Sequence, residues 1–159
     1  MRPIWMILLA AVTLLPASET AWGDKPNKLD PTYLLAVDKY PKFEADLVLK
    51  NGRTIRFCCP KSMLHFYFKP YHYPEYGVKT PDAIKRMRVK DYLNGQAVDA
   101  KKAWYVFGSR VRGPHGDDLI PLASKTRAEL FVKRYGGSRI MDFETVKKKG
   151  YGLIKYLDL

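Results

Sequence analysis

Apolar residues in this chain alternate in some stretches and fall at helical spacing in others, and the two patterns follow each other in a repeated order. From Phe43 to Phe57, "FEADLVLKNGRTIRF" sets Phe43, Ala45, Leu47 and Leu49 against polar neighbours, turns at Asn51-Gly52, and alternates again at Ile55 and Phe57. That is the signature of a hairpin with one buried face. "PKSMLHFYF" comes next, with Pro60 in its opening turn and Met63, Leu64 and Tyr67 at helical spacing, which predicts a short helix. Beyond the loop "KPYHYPEYGVKTPD", the stretch "IKRMRVKDYL" predicts another strand.

The order then recurs. "AWYVFGSRV" reads as a strand, "GPHGDD" as a turn and "LIPLAS" as a second strand. "KTRAELFVKRYGG" predicts a helix with Ala128, Leu130, Phe131 and Tyr135 favouring one side and Gly136-Gly137 ending it. "RIMDFETV" alternates as a strand. Strand, strand, helix, strand appears twice, which predicts an α+β fold of two tandem ββαβ units, over residues 32–98 and 99–146. The tail, 147–159, mixes three lysines with Tyr151, Leu153, Ile154, Tyr156 and Leu157. It is expected to pack on the domain, a membrane-surface helix being the alternative.

The first residues differ from the rest. Arg2 precedes "IWMILLAAVTLL", Ile4 to Leu15; Pro16 breaks the run, and "SETAWG" supplies small residues for cleavage after Gly23. A membrane span needs nearer about twenty apolar residues. No cysteine near that point offers a lipid attachment site. Residues 1–23 therefore predict a cleavable signal peptide, and the mature chain an exported, periplasmic, soluble protein. Residues 24–31, "DKPNKLDP", predict a polar linker.

Composition changes the picture in one respect. Of 159 residues, 28 are Lys or Arg and 16 are Asp or Glu, so the formal net charge of +12 suggests an acidic partner, an anionic membrane surface or simply good solubility. Nucleic acid also fits that charge, but export argues against it.

Candidate chemistry is sparse. The only two cysteines, Cys58 and Cys59, are adjacent and can bridge only through a strained ring, so a structural disulfide is not expected. They end the second strand just before the helix, where a helix N-terminus favours the metal-binding thiolate. Strand alternation sends the two side chains to opposite faces, and the plain alternative is two small buried residues. Met63 and His65 are further candidate ligands; core packing accounts for the first and an aromatic neighbourhood for the second. His72 lies among tyrosines on a loop and is expected in solvent. His115 stands at the tip of the rigid turn "RGPHGDDLIP". A thiol nucleophile with His115 as its base lacks an identifiable acidic orienter, so no enzyme is expected.

The second half carries a recognisable set of motifs. A "V-x-D-Y" strand covers Val89 to Tyr92, "D-A-x-x-A-x-Y-V" covers Asp99 to Val106, and "G-S-x-x-x-G-P-x-G" covers Gly108 to Gly116. "LIPL" follows from Leu119 to Leu122, where the pattern has "L-I-P-F", with "A-x-x-F" at Ala128 to Phe131 and a final Gly136-Gly137. This series resembles the NosL family of nitrous oxide reductase accessory proteins, and "YPKFEADLVLKNG" with "MLHFYF" extends the likeness into the first half. The resemblance implies a periplasmic Cu(I)-binding metallochaperone of paired ββαβ units. It also implies a role in maturing the copper–sulfide centre of nitrous oxide reductase.

Two departures bear on the site. The family's "C-P-V-C-G-M" is approximately "DPTYLL" here, Asp30 to Leu35, without its cysteines or methionine. The family's "G-P-M-G", whose methionine thioether is a copper ligand, reads "GPHG", which puts His115 at the ligand position. Imidazole is a borderline donor that accepts Cu(I), Cu(II) or Zn(II). The expected site pairs His115 with a thiolate of Cys58 or Cys59 and serves nitrous oxide reductase or another periplasmic copper enzyme. The alternative is a basic module without metal that docks an acidic envelope protein or anionic lipid.

Overall fold

A computed structural model describes residues 27–158. The expected signal peptide lies outside the described residues. The first unit is β1 (Ala45–Leu49), β2 (Thr54–Phe57), α1 (Pro60–Phe68) and β3 (Ile84–Lys90), with a short β4 (Ala97–Asp99) added at its edge. The second is β5 (Trp104–Phe107), β6 (Ile120–Leu122), α2 (Lys125–Tyr135) and β7 (Arg139–Asp142), followed by α3 (Phe143–Lys149) and α4 (Tyr151–Leu157). Each unit forms one antiparallel sheet, ordered β2-β1-β3-β4 and β6-β5-β7. The α+β fold with its repeated ββαβ order is therefore present.

Alternation explains how the first sheet is used. Ala45, Leu47 and Leu49 of β1, Ile55 and Phe57 of β2, and Met87 and Val89 of β3 face a core completed by Met63, Leu64 and Phe66 of α1. The opposite positions are charged. Asp46 lies across from both Arg56 and Arg88 and pairs with Arg88, while Arg56 reaches Glu44 and Asp38. Cross-strand pairs of opposite charge compensate the burial of that face.

The two sheets share one main core. Tyr105 of β5, Met141 of β7, Phe143 and Val146 of α3, and Ile154 and Leu157 of α4 belong to the same apolar cluster as the first sheet. A smaller cluster joins Val106, Ile120 and Leu122 to Ala128 and Phe131 on the other side of the second sheet. The final double glycine serves that packing, since a Cβ at Gly137 would stand 2.5 Å from Val106 Cγ1. Asp91 of the "V-x-D-Y" motif is wholly buried. It accepts from Ala123 N and from the Arg127 guanidinium, tying the end of β3 to the start of α2.

Several expectations change. "RIMDFETV" is a strand only to Asp142, because the Asp142 side chain accepts from Thr145 N and caps α3. Leu130, expected on the packed side of α2, is 54% exposed. β4 straddles the expected boundary between residues 98 and 99 and belongs to the first sheet. The tail forms α4 and buries Ile154 and Leu157.

The segment expected to be a linker is pinned as well. Asp30 is wholly buried, and its carboxylate accepts from Thr32 N, Tyr33 N, Cys58 N and Ser62 Oγ, all at 2.8 Å. Its main chain closes the same loop through Leu35 O and Leu34 N. Asp30→Ala should cost about 3 kcal/mol, because it strands several buried donors at once. Urea unfolding at neutral pH measures the loss.

Candidate metal site

The turn that carries His115 is rigid for steric and hydrogen-bonding reasons. Gly113 N donates to Gly116 O at 2.7 Å, which closes "GPHG" on itself. A Cβ at Gly113 would stand 2.9 Å from Asp118 Cβ, so only glycine permits the turn to lie on that side chain. Asp118 in turn fixes the start of α1, its Oδ1 accepting from Lys61 N at 2.9 Å and from Leu119 N at 2.7 Å.

His115 projects from this turn with its side chain 51% exposed. Its ring stacks on Tyr33, the centroids 4.1 Å apart and the planes 9° from parallel. Its Nδ1 stands 4.0 Å from Asp158 Oδ1. Tyr33 donates to the same carboxylate oxygen at 2.7 Å. Burial, then the Asp158 carboxylate, pushes the Tyr33 phenol above its ordinary range, so it stays a hydrogen-bond donor. A cavity of about 320 Å³ opens beside the turn, lined by Arg112, His115, Asp117 and Asp158 among others.

Lys61 completes the cluster. Its side chain is wholly buried, and its ammonium donates to His115 O at 2.6 Å and Leu157 O at 3.1 Å. The same nitrogen lies 3.0 Å from Asp158 Oδ1 and 5.3 Å from the Tyr33 ring centroid. Two main-chain carbonyls, a carboxylate and an aromatic face thus surround one cation taken out of water.

Cys59 lies near enough to Tyr33 for its charge to act on that phenol. Cys58 and Cys59 are both wholly buried. Burial raises the Cys59 thiol well above its ordinary range, and the neighbouring Cys58 thiol and Asp118 carboxylate add to the effect. The helix start does not offset that burial. Cys59 instead lies against Asp118, whose Oδ2 is buried with no N–H or O–H partner. Asp118 and Lys61 link Cys59 to the main chain of the His115 turn.

The remaining candidates have other duties. Met63 is a core residue with no exposure. His65 has both ring nitrogens engaged, Nδ1 with Tyr73 Oη at 2.7 Å and Nε2 with Tyr151 Oη at 2.8 Å. That relay runs on to Thr32 and ties α1 to α4. His72 is exposed, as expected. Among the described residues, no three His, Cys, Asp or Glu side chains form a group that could hold a metal ion.

Sequence reasoning missed Tyr33, Lys61 and Asp158. One signal was available: a lysine in the first turn of a helix opposes the helix dipole and needs another reason to be there. When "C-P-V-C-G-M" is set against Asp30 to Leu35, its second cysteine falls on Tyr33 and its glycine on Leu34. Leu34 has φ of 55°, the one non-glycine with positive φ among the described residues.

Paired ββαβ units that present a half-exposed histidine on a glycine-bounded turn define a small α+β protein. The sequence matches the NosL family over residues 29–150, and the chain belongs to that family. The structure resembles that of the copper chaperone NosL from Shewanella denitrificans, with a TM-score of 0.64 and 21% identity over 82% of this chain and 96% of that one. No curated protein matches the sequence.

Burial drives the Asp118 carboxyl up to about 6. A carboxyl raised in the folded state favours folding below its unfolded pKa and loses that contribution as pH rises through the folded value. Asp118→Asn should therefore stabilise the protein at pH 7 by up to about 3 kcal/mol and much less at pH 4. Paired urea melts at the two pH values measure the difference.

Proposed function

We propose that this chain is an exported copper-binding accessory protein that holds or delivers copper for nitrous oxide reductase or another periplasmic copper enzyme. Family membership and the fold shared with a copper chaperone support the accessory role. The observation that carries the reading is His115: half exposed, fixed by its turn, and placed where the family has its methionine ligand. Copper is cargo on this reading, and no catalytic step is assigned to the protein.

The surroundings of His115 change which copper ion suits it. A thioether and thiolates would select Cu(I), but both thiols here are buried, and burial raises the Cys59 thiol well above its ordinary range. The donors beside the cavity are the His115 imidazole and the Asp158 carboxylate, with Nδ1 and Oδ1 4.0 Å apart. These two groups would hold the ion, and nitrogen with oxygen donation favours Cu(II). Tyr33 orients both donors, stacking on the His115 ring and donating to Asp158 Oδ1. Only two protein donors leave coordination positions for water or for a recipient's side chains, which suits an ion that must be passed on. The net charge of +12 complements an acidic recipient surface.

Copper(II) titration in competition with a chromophoric chelator tests the reading. His115→Ala should weaken binding by at least about tenfold, the loss of one good nitrogen donor. Cys59→Ser should leave affinity unchanged. Wild-type affinity in His115→Ala removes the site. Absence of any copper binding, alongside salt-sensitive capture of anionic vesicles, favours the basic docking module instead.

A further inference from the structure

The Lys61 ammonium occupies the same small space as the two proposed copper donors. It touches Asp158 Oδ1 at 3.0 Å, and that same atom stands 4.0 Å from His115 Nδ1. We propose that Lys61 is a tethered cation that competes with the cargo ion for the Asp158 carboxylate: a metal entering beside His115 takes the carboxylate from the ammonium, and the ammonium's return drives the metal out. This rests on the copper reading above and adds the device by which the ion is released.

Three observations carry it. First, two cations sharing one carboxylate oxygen repel each other strongly, because the ammonium is buried where water cannot screen it. Second, Lys61 can yield Asp158 without being stranded. It keeps His115 O at 2.6 Å, Leu157 O at 3.1 Å and the Tyr33 ring face. The carboxylate, with its side chain 29% exposed, lines the cavity and keeps the Tyr33 hydroxyl at 2.7 Å when the ammonium lets go. Third, nothing in α1 calls for a lysine at this place. It follows Pro60 in the first turn, where a cation opposes the helix dipole, and its charge is spent wholly outside the helix.

The contact between Lys61 and His115 runs through the main chain, so the ammonium leaves the imidazole free to ligate while contesting its partner. Metal and ammonium are thus alternative occupants of Asp158. No bond is made or broken beyond coordination and hydrogen bonding. A recipient that offers better ligands needs to supply only part of the driving force for transfer, and the lysine supplies the rest.

The test compares copper(II) affinity in wild type and Lys61→Met by the same chelator competition. Folding of the variant is checked by its thermal melt and near-ultraviolet circular dichroism. Lys61→Met should bind copper(II) at least about tenfold more tightly and release it correspondingly more slowly. Equal or weaker binding by the folded variant overturns the proposal. Binding by Lys61→Met with none by wild type keeps the tethered cation and sinks copper carriage; no binding by either sinks both.

A second measurement needs no variant. With zinc as a diamagnetic probe, the lysine side-chain nitrogen resonances of the wild-type protein are followed as the metal is added. The Lys61 signal should shift in step with the His115 ring signals. A Lys61 signal unmoved at zinc saturation of His115 overturns the proposal.

Discussion

One buried ammonium determines how the distant parts of this chain meet. Removing a cation from water costs several kcal/mol unless oxygen atoms replace its hydration shell. Lys61 draws those oxygens from the 113–116 turn and from the last residues of α4, and it lies against the ring of Tyr33. Three stretches with no sequence relation are thereby held within a few ångströms. The geometry of His115 follows, since its ring rests on Tyr33 and its carbonyl on the ammonium.

Two carboxylates make that arrangement possible from either side. Asp30 gathers the loop that carries Tyr33 and binds it to α1 through Cys58 N and Ser62 Oγ. Asp118 lies under the histidine turn and holds Lys61 N in place. Each is buried and surrounded by donors from more than one element, so each cross-links segments that apolar packing alone would leave free to slide. Hydrogen-bonded carboxylate oxygens specify position here, and the shared apolar core supplies most of the stability.

Two positions where the resemblance to the family implies sulfur carry rings in this chain. Tyr33 falls where a cysteine belongs, and His115 where a methionine does; the two rings now touch face to face. The sulfurs that remain, on Cys58 and Cys59, are small buried groups beside a high-pKa carboxyl. The basic, aromatic tail has become part of the site, because α4 delivers Leu157 O and Asp158 to the ammonium. Its burial of Ile154 and Leu157 accounts for the apolar residues that also fitted a membrane-surface helix.

What the sequence determined by itself was local. Alternation through β1 and β2, proline before α1, and glycines after α2 each act over a few residues, so the repeated ββαβ order and the turn bearing His115 were legible from pattern. The "D-A-x-x-A-x-Y-V" motif could be recognised, but its physical meaning, Tyr105 Oη donating to Ala100 O across a close-packed alanine, appears only in the fold. The end of β7 was misplaced because an aspartate cap outweighs continued alternation. The site itself was decided by tertiary structure. Tyr33, Lys61, His115 and Asp158 are separated by up to 125 residues between hydrogen-bonded partners, and no spacing rule connects them. Thiol chemistry depends on the fold for the same reason: position at a helix start can be read from sequence, whereas the burial that raises the Cys59 thiol depends on everything packed around it.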